Sequence, residues 1–388
     1  MFDCKDLFLD RARLVMRFMG VWLPPIKESI ISKAYRYFMV VFQYLFLIFQ
    51  VIYIVQVWGD LEAVSQACYL LFTQACLCFK ITVYLINDGM LRDLLQQMNS
   101  DVFQPQSPEH KRILNLRATS IKRLLFVFMI SSQLTCGLWA LKPMFDDAGK
   151  NFPFNMWMPV SPKSSPQYEI GYAFQFITIC ISAYMYFGVD SVTLNTIIFG
   201  CAQIEIVKDK IMHIQSIGSL SVSQQAHKDI CKENNTTLIQ CLAQHQAIIK
   251  FILYLENFFN VTIFFQMSGS AAIVCIIAFR ISVEPPNTFQ FYSSVNYMLS
   301  MLAQLYFYCW SGNELTTRSQ ELRDELYQCP WYEQDRLFRR RFSFAMECMK
   351  KPIVLKAGHF ITLSRPTFVA ILRCSYSYFA VLNQANSQ

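Results

Sequence analysis

Long apolar stretches alternate with polar connections along most of the chain. Six of them are long enough for a membrane span, because a helix of about 20 residues crosses a hydrocarbon core about 30 Å thick. Every backbone amide of a lipid-exposed span must be satisfied within the segment, so we expect each span to be a helix. The six stretches cover residues 37–58, 63–86, 124–143, 171–199, 258–279 and 291–310.

A seventh stretch, residues 364–384, is less apolar and contains Arg365 and Arg373. Charged side chains are costly against lipid, so we expect this segment to lie within protein or beside water. Seven spans in all are therefore predicted.

Helical periodicity continues beyond the fourth span and begins before the fifth. Two further helical runs follow the sixth span, at 311–328 and 332–350, with Pro330 between them. In contrast, 216–225 has the composition of a loop, and the prolines in 144–170 predict a structured loop or lid. The periodic apolar positions flanking the first of these loops are Ile204, Val207, Ile211 and Ile214, then Leu238, Leu242, Ile249 and Ile252.

The composition agrees with a membrane protein. Of the 388 residues, 54% are hydrophobic and only 16% are charged, against about 25% charged in an average soluble domain. The net charge of +7 comes from basic residues lying between apolar runs, which argues against nucleic-acid binding. The 14 cysteines are scattered, often within apolar runs, so we interpret them as buried small residues, and no metal or cofactor is expected. The first 36 residues lack the pattern of a cleavable signal peptide.

Basic residues predict the orientation. Alternate connections, namely 1–36, 87–123, 200–257 and 311–363, hold 27 of the 34 Lys and Arg residues. The opposite connections hold only Lys150 and Lys163. The positive-inside rule therefore places the N-terminus in the cytoplasm and, after seven spans, the C-terminus outside.

The predicted fold is an all-α polytopic membrane protein with seven transmembrane helices and a helical cytoplasmic anchor. It divides into four segments along the chain. They are a cytoplasmic N-terminal segment (1–36), a six-span bundle holding a ligand pocket (37–310, with cytoplasmic extensions at about 200–257), anchor helices (311–363) and a pore-lining seventh span with a short outer tail (364–388).

No enzyme motif is present: the chain contains no hydrolase elbow, zinc motif, P-loop or dinucleotide fingerprint. Asp190 and Glu256 are isolated acids in or near spans, to be explained by pairing inside the bundle or by a role with an ion or ligand. Lys80 lies near a span end, where it is expected to extend toward the interface and to have no function.

The last 80 residues contain several distinctive pieces. They are YCWSGNEL (308–315), CPWY (329–332), KKPIVLKAGHFITLS (350–364) and TFVAILRCSYSYFAVLNQ (367–384), and MRFMGVWLPP (16–25) accompanies them near the N-terminus. With these pieces the chain resembles the insect odorant receptor family, whose seven-span pattern covers its whole length.

The resemblance implies a ligand-gated, non-selective cation channel in the plasma membrane of a sensory neuron dendrite. An odour-tuned subunit of this family assembles with a shared coreceptor into a heterotetramer, and a small volatile organic ligand opens it. This chain looks like the tuning subunit, because the family's coreceptor has a longer insertion between spans four and five.

The resemblance also implies a pocket among spans two, three, four and six. Ser132, Thr135 and Trp139 share one helical face of the third span and match pocket positions of the family. The many aromatic residues favour a flat aromatic or heteroaromatic odorant. The remaining candidates are Tyr69, Phe72 and Thr73 on span two, Ile181 and Tyr184 on span four, and Asn296 and Tyr297 on span six.

The seventh span has one face of small or polar residues: Ala370, Cys374, Ser377, Val381 and Gln384. Such a face can be a packing seam, and the family resemblance makes it a pore wall. Val381 then matches the hydrophobic gate, and Ser377 and Gln384 line the pore on either side of it.

Three alternatives remain open. A gustatory receptor of the same superfamily is similar in plan. A G-protein-coupled receptor also has seven spans, but its N-terminus is outside and its DRY and NPxxY motifs are missing here. A membrane enzyme or transporter requires an acid and histidine constellation or paired broken helices, and neither is visible.

Overall fold

A computed structural model describes residues 2–22, 29–145, 152–161, 164–216, 224–286 and 288–386. The predicted loop at 216–225, the N-terminal piece at 16–25 and the connection 144–170 lie partly outside these residues. Over the described residues the chain forms ten α-helices and one short β-hairpin. They are α1 (Cys4–Phe18), α2 (Ile30–Gln56), α3 (Leu61–Ile86), α4 (Asp88–Gln97), α5 (Pro108–Phe145), α6 (Gln167–Met212), α7 (Gln224–Val283), α8 (Phe289–Gln328), α9 (Arg336–Cys348), β1 (Lys356–Ala357), β2 (Ile361–Thr362) and α10 (Arg365–Asn386).

The predicted spans lie on α2, α3, α5, α6, α7, α8 and α10. Among the described residues, five helices, α2, α3, α5, α6 and α7, are long and apolar enough to cross a membrane. α8 and α10 have the length, at 40 and 22 residues, but carry more polar side chains. The chain is therefore an all-α polytopic membrane protein. Two of its predicted spans, on α8 and α10, are more polar than the other five.

The bundle has two distinct ends. At the loop end, α2 joins α3, α5 joins α6, and α7 joins α8. At the anchor end, α5, α6, α7 and α8 continue as helices beyond the predicted spans, and α4, α9 and the hairpin pack there against α7 or α8. The sequence periodicity predicted the continuation of α6 and α7. It also placed a helix at 311–328, which the structure joins to the sixth span as one helix, α8.

α6 lies at the centre of the fold. Every residue from Met185 to Ile204 is buried, as expected for a helix that is surrounded on all sides. α1, which the sequence analysis missed, packs against α6 and α5. Phe8 of α1 meets Phe199 of α6 edge to face at 5.5 Å, and Phe251 of α7 meets the same ring at 5.5 Å. The N-terminal segment is therefore part of the core.

Leu363, the residue that follows the hairpin, is held against α8 at a glycine. A Cβ atom at Gly312 would lie 2.7 Å from the carbonyl oxygen of Leu363 and would also overlap the Leu363 side chain. Ser319, two turns further along α8, accepts a hydrogen bond from Ile353 N at 2.9 Å. The backbone of 353–363 thus contacts α8 closely, and the hairpin places the start of α10.

Candidate functional site

A cavity lies within the bundle, between α3, α5, α6 and α8, nearer the loop end. Its free volume, taken as the space open to the centre of a water-sized sphere, is about 60 Å³, which is room for several water molecules. The surface it offers is mostly apolar. Its lining residues are Leu70, Thr73, Gln74, Leu77, Phe128, Ser132, Thr135, Cys136, Trp139, Ile179, Ser182, Ala183, Tyr186, Phe187, Tyr297, Ser300, Met301 and Gln304.

Aromatic rings close the cavity toward the loop end. The Trp139 ring lies 4.9 Å from that of Tyr297 and 6.0 Å from that of Tyr69, centroid to centroid. Phe154, from the connection between α5 and α6, packs edge to face on Trp139 at 5.3 Å. Trp139 and Tyr297 also line a second, smaller space on the loop side, together with Arg280. The two rings therefore form a partition between an inner and an outer chamber.

Five of the predicted pocket residues line the inner cavity: Thr73, Ser132, Thr135, Trp139 and Tyr297. Two more lie next to it. Tyr69 contacts Trp139 and Tyr297 and lines the outer chamber, and the Asn296 amide donates to Thr135 Oγ1 at 2.8 Å.

The other three predicted residues are not among the residues that line the cavity. Phe72 is 37% exposed on the outside of the bundle. Ile181 and Tyr184 pack instead against the larger core that includes α1 and the anchor end.

The cavity face of α6 is a stripe that the sequence analysis missed. Ile179, Ser182, Ala183 and Tyr186 line it, at the i, i+3, i+4 and i+7 positions of one helical face. α8 shows the same spacing with Tyr297, Ser300, Met301 and Gln304. The available signal was the small or polar residues, Ser182 and Ser300, recurring within apolar stretches.

Most polar atoms around the cavity already have protein partners. The hydroxyls of Thr73 and Tyr297 bond to each other. Ser182 Oγ donates to Gln43 Oε1 at 2.6 Å, and Tyr186 Oη donates to Gln266 Oε1 at 2.5 Å. Because these groups are satisfied within the bundle, the cavity can bind a ligand mainly through apolar contact.

An ion pair lies one helical turn beyond the cavity, toward the anchor end. Lys80 Nζ lies 2.5 Å from Asp190 Oδ1, with side-chain exposures of 1% and 3%. The expectation that Lys80 extends toward the interface is therefore wrong, because a buried carboxylate 110 residues away binds its ammonium group. Of the two explanations considered for Asp190, the structure favours pairing inside the bundle. Glu256 lies near the hairpin and accepts a hydrogen bond from Lys356 N at 3.2 Å.

α10 is attached along one side only. Ser375 is buried, and its hydroxyl donates to the carbonyl oxygen of Ala271 on α7 at 3.1 Å. Phe368 packs edge to face on Tyr306 of α8 at 5.5 Å. The predicted pore face is exposed in the single chain, and it comprises Ala370, Cys374, Ser377, Val381 and Gln384.

Comparison with known proteins gives a consistent result. The family model described as "7tm Odorant receptor" matches residues 60–376. Odorant receptor Or1 of Anopheles gambiae is 22% identical, over 100% of this chain and 97% of its own. Odorant receptor 13a of Drosophila melanogaster is 25% identical, over 84% of this chain and 80% of its own.

Among solved structures, the olfactory receptor OR5 of Machilis hrabei in complex with eugenol has a similar fold. The TM-score is 0.81 at 14% sequence identity, and the match covers 98% of this chain and 100% of that one. A second structure of the same receptor, described without eugenol, matches this chain with a TM-score of 0.79.

Proposed function

The chain belongs to the seven-transmembrane odorant receptor family, and from this premise we propose that it is the odour-tuned subunit of a ligand-gated, non-selective cation channel. A small volatile odorant binds in the inner cavity and opens a pore lined by α10. The observation that carries the proposal is a mostly apolar cavity within the bundle, between α3, α5, α6 and α8. The family match supports the odorant receptor branch over a gustatory or G-protein-coupled receptor.

The cavity suits a volatile molecule with few polar atoms. Complete burial of about 250 Å² of apolar surface, typical of a monocyclic compound, contributes about 6 kcal/mol at about 25 cal/mol per Å². This corresponds to a dissociation constant of roughly tens of micromolar before the costs of ordering are subtracted. Binding of this strength is reversible, as a sensory receptor requires.

The exposed face of α10 supports a pore in an assembly. Arg373, Ser377 and Gln384 are exposed in the single chain, and such side chains are unfavourable against lipid. Water in a central pore, with neighbouring subunits around it, accounts for them. Val381, 64% exposed on the same face, then forms a ring of apolar side chains that closes the pore by dewetting.

We propose that the neighbouring subunits include a coreceptor, in a heterotetramer located in the plasma membrane of a sensory dendrite. The support is the family membership and the bare surface of α10, where Tyr376 and Tyr378 are 69% and 63% exposed. An odorant favours the open state only to the extent that it binds that state more tightly than the closed one.

The test is current recorded from cells that express the full-length chain with a coreceptor subunit, across a broad odorant panel. Trp139→Ala removes the ring shared by both chambers, so we expect the half-maximal odorant concentration to rise by at least tenfold with normal surface expression. The matched control is Leu134→Ala on the same helix, where the side chain is 58% exposed. An unchanged dose-response for Trp139→Ala, or an equal shift in both variants, would contradict this cavity as the odorant site.

A further inference from the structure

We propose that the buried Lys80–Asp190 pair sets odorant selectivity by orienting a chain of hydrogen bonds that holds the Tyr186 hydroxyl away from the cavity. The inner end of the cavity, which we call the floor, therefore accepts the apolar end of a ligand. The inference rests on the proposed function, since it concerns selectivity at the same cavity. Lys80 and Asp190 are positioning residues, because neither lines the cavity.

The pair lies directly behind the floor on two helices. Leu77 and Phe187 line the cavity, and Lys80 and Asp190 each follow three residues later, about one turn toward the anchor end. The pair touches two lining residues: the Lys80 ammonium lies 4.2 Å from the centre of the Tyr186 ring, and Asp190 binds Gln304.

The Asp190 carboxylate is the acceptor for three donors. Lys80 Nζ and Tyr308 Oη bond to Oδ1 at 2.5 and 2.7 Å, and Gln304 Nε2 bonds to Oδ2. An ionised carboxylate can only accept hydrogen bonds. Gln304 must therefore turn the nitrogen end of its amide toward Asp190, which leaves its oxygen end for the next partner.

The next partners continue in the same direction. Gln266 Nε2 donates to Gln304 Oε1 at 3.2 Å, and Tyr186 Oη donates to Gln266 Oε1 at 2.5 Å. Each donor in the series from Tyr186 to Gln266 to Gln304 points toward Asp190. Bonds arranged head to tail polarise one another, so the carboxylate fixes the direction of the whole chain. The only hydroxyl proton of Tyr186 is thereby committed to Gln266.

Reversing the charges of the pair should reverse the chain. In Lys80→Glu/Asp190→Lys the ammonium group at position 190 can only donate, so Gln304 must present its oxygen there and its nitrogen to Gln266. Gln266 then donates to Tyr186 Oη, and the Tyr186 hydroxyl proton becomes available to a ligand in the cavity. A charge pair is retained, so a purely structural role would be preserved.

The probes are acetophenone and α-methylstyrene, which have the same shape and differ in C=O against C=CH₂. We expect the reversed pair to shift the ratio of their half-maximal concentrations about fivefold in favour of acetophenone, the effect of one net hydrogen bond. Currents are recorded from the full-length chain co-expressed with a coreceptor. A reversed pair that reaches the surface and keeps the wild-type ratio would overturn the proposal.

A second variant tests the proposal even if the charge-reversed variant does not fold. Gln266→Leu removes the acceptor of Tyr186 and leaves Lys80 and Asp190 in place, so we expect a shift in the same direction. Adding Tyr186→Phe should cancel that shift, because the freed hydroxyl is its source. An unchanged ratio in Gln266→Leu, or a shift that persists with Tyr186→Phe, would equally overturn the proposal.

A measurement without ligand separates this inference from the proposed function. Thermal unfolding of the purified full-length chain is compared for Asp190→Asn, Gln304→Met and the double variant. Coupling through the shared hydrogen bond predicts that the double variant loses less than the sum of the single losses. Additive losses would refute the arrangement. If the wild type reaches the surface with its coreceptor and no odorant evokes current, the proposed function fails, while the unfolding cycle still tests the hydrogen bond between Gln304 and Asp190.

Discussion

At the residue scale, the buried charges have the largest energetic consequences. A lone charge in a dry interior is costly, whereas a pair with further hydrogen bonds is tolerated. Asp190 has three donors, and Lys80 adds the faces of Tyr186 and Tyr308, with the Nζ atom 4.2 and 5.7 Å from the ring centres. The fold should therefore tolerate the loss of both charges better than the loss of either charge alone.

The stability of the pair is tested with neutral variants. Lys80→Met leaves an unpaired carboxylate and should destabilise the fold by about 3–5 kcal/mol, which lowers surface expression sharply. Asp190→Asn leaves an unpaired ammonium group and should behave similarly. The double variant Lys80→Met/Asp190→Asn removes both charges and should recover most of the surface signal. A double variant with less surface expression than either single variant would show that the two charges do not stabilise the fold as a pair.

At the scale of elements, the contact between α8 and Leu363, the residue after the hairpin, depends on Gly312. A methyl group there meets the backbone of Leu363, at 2.7 Å from its carbonyl oxygen, and backbone cannot move aside cheaply. Gly312→Ala should therefore cost about 1–3 kcal/mol through overpacking, seen as a lower unfolding temperature. Gly89→Ala is the control, because a Cβ there meets nothing within 4 Å and helix propensity favours alanine. Equal effects of the two substitutions would contradict the close contact.

The proposed pore helix is tested at the same scale. Val381→Ser places a hydroxyl in the proposed apolar ring, so it should stabilise the wetted state and raise odorant-independent current. Gln384→Ala should change the permeability ratios among cations. Both are measured by patch clamp with a coreceptor present. Cysteines at 377, 381 and 384 should react with permeant thiol reagents, and failure of all three to react, with and without odorant, would exclude α10 as the pore wall.

At the scale of the whole molecule, orientation in the membrane is the main prediction. An epitope at the N-terminus should be reached by antibody only after permeabilisation, and one after Gln388 without it. The anchor end should then be cytoplasmic. Its α5, α6 and α8 helices are joined by ion pairs, such as Arg117–Glu205 at 2.8 Å and Lys208–Glu325 at 2.5 Å.

Asparagine residues provide an independent check of the same orientation. Asn234 and Asn235 fit the N-glycosylation pattern, but they are 2% and 7% exposed at the anchor end and bond to Gln334 and Asp335. We expect no glycan on either, as judged by glycosidase treatment and gel mobility. A glycan at Asn234 or Asn235 would contradict both the orientation and the packing of α7 against the turn before α9.

The sequence by itself determined the helical spans, the polar character of the seventh one and the continuation of α6 and α7. Each of these depends on local composition or on a period that a single helix expresses. The three predicted residues of α5, Ser132, Thr135 and Trp139, came from the family resemblance together with their common helical face, and all three line the cavity.

Only the tertiary structure decided which face of α6 meets the cavity. Near the cavity, the buried side of α6 includes the polar Gln175, Thr178 and Ser182, whereas the apolar Ile177 is 51% exposed. Hydrophobicity therefore does not indicate the inward face there, and the predicted Ile181 and Tyr184 lie off the cavity while Ser182 lies on it. The pairing of Lys80 with Asp190 was equally inaccessible, since it joins side chains 110 residues apart. Local patterns report how much of a helix is buried, whereas the partner of each buried side chain is set by the packing of helices distant in sequence.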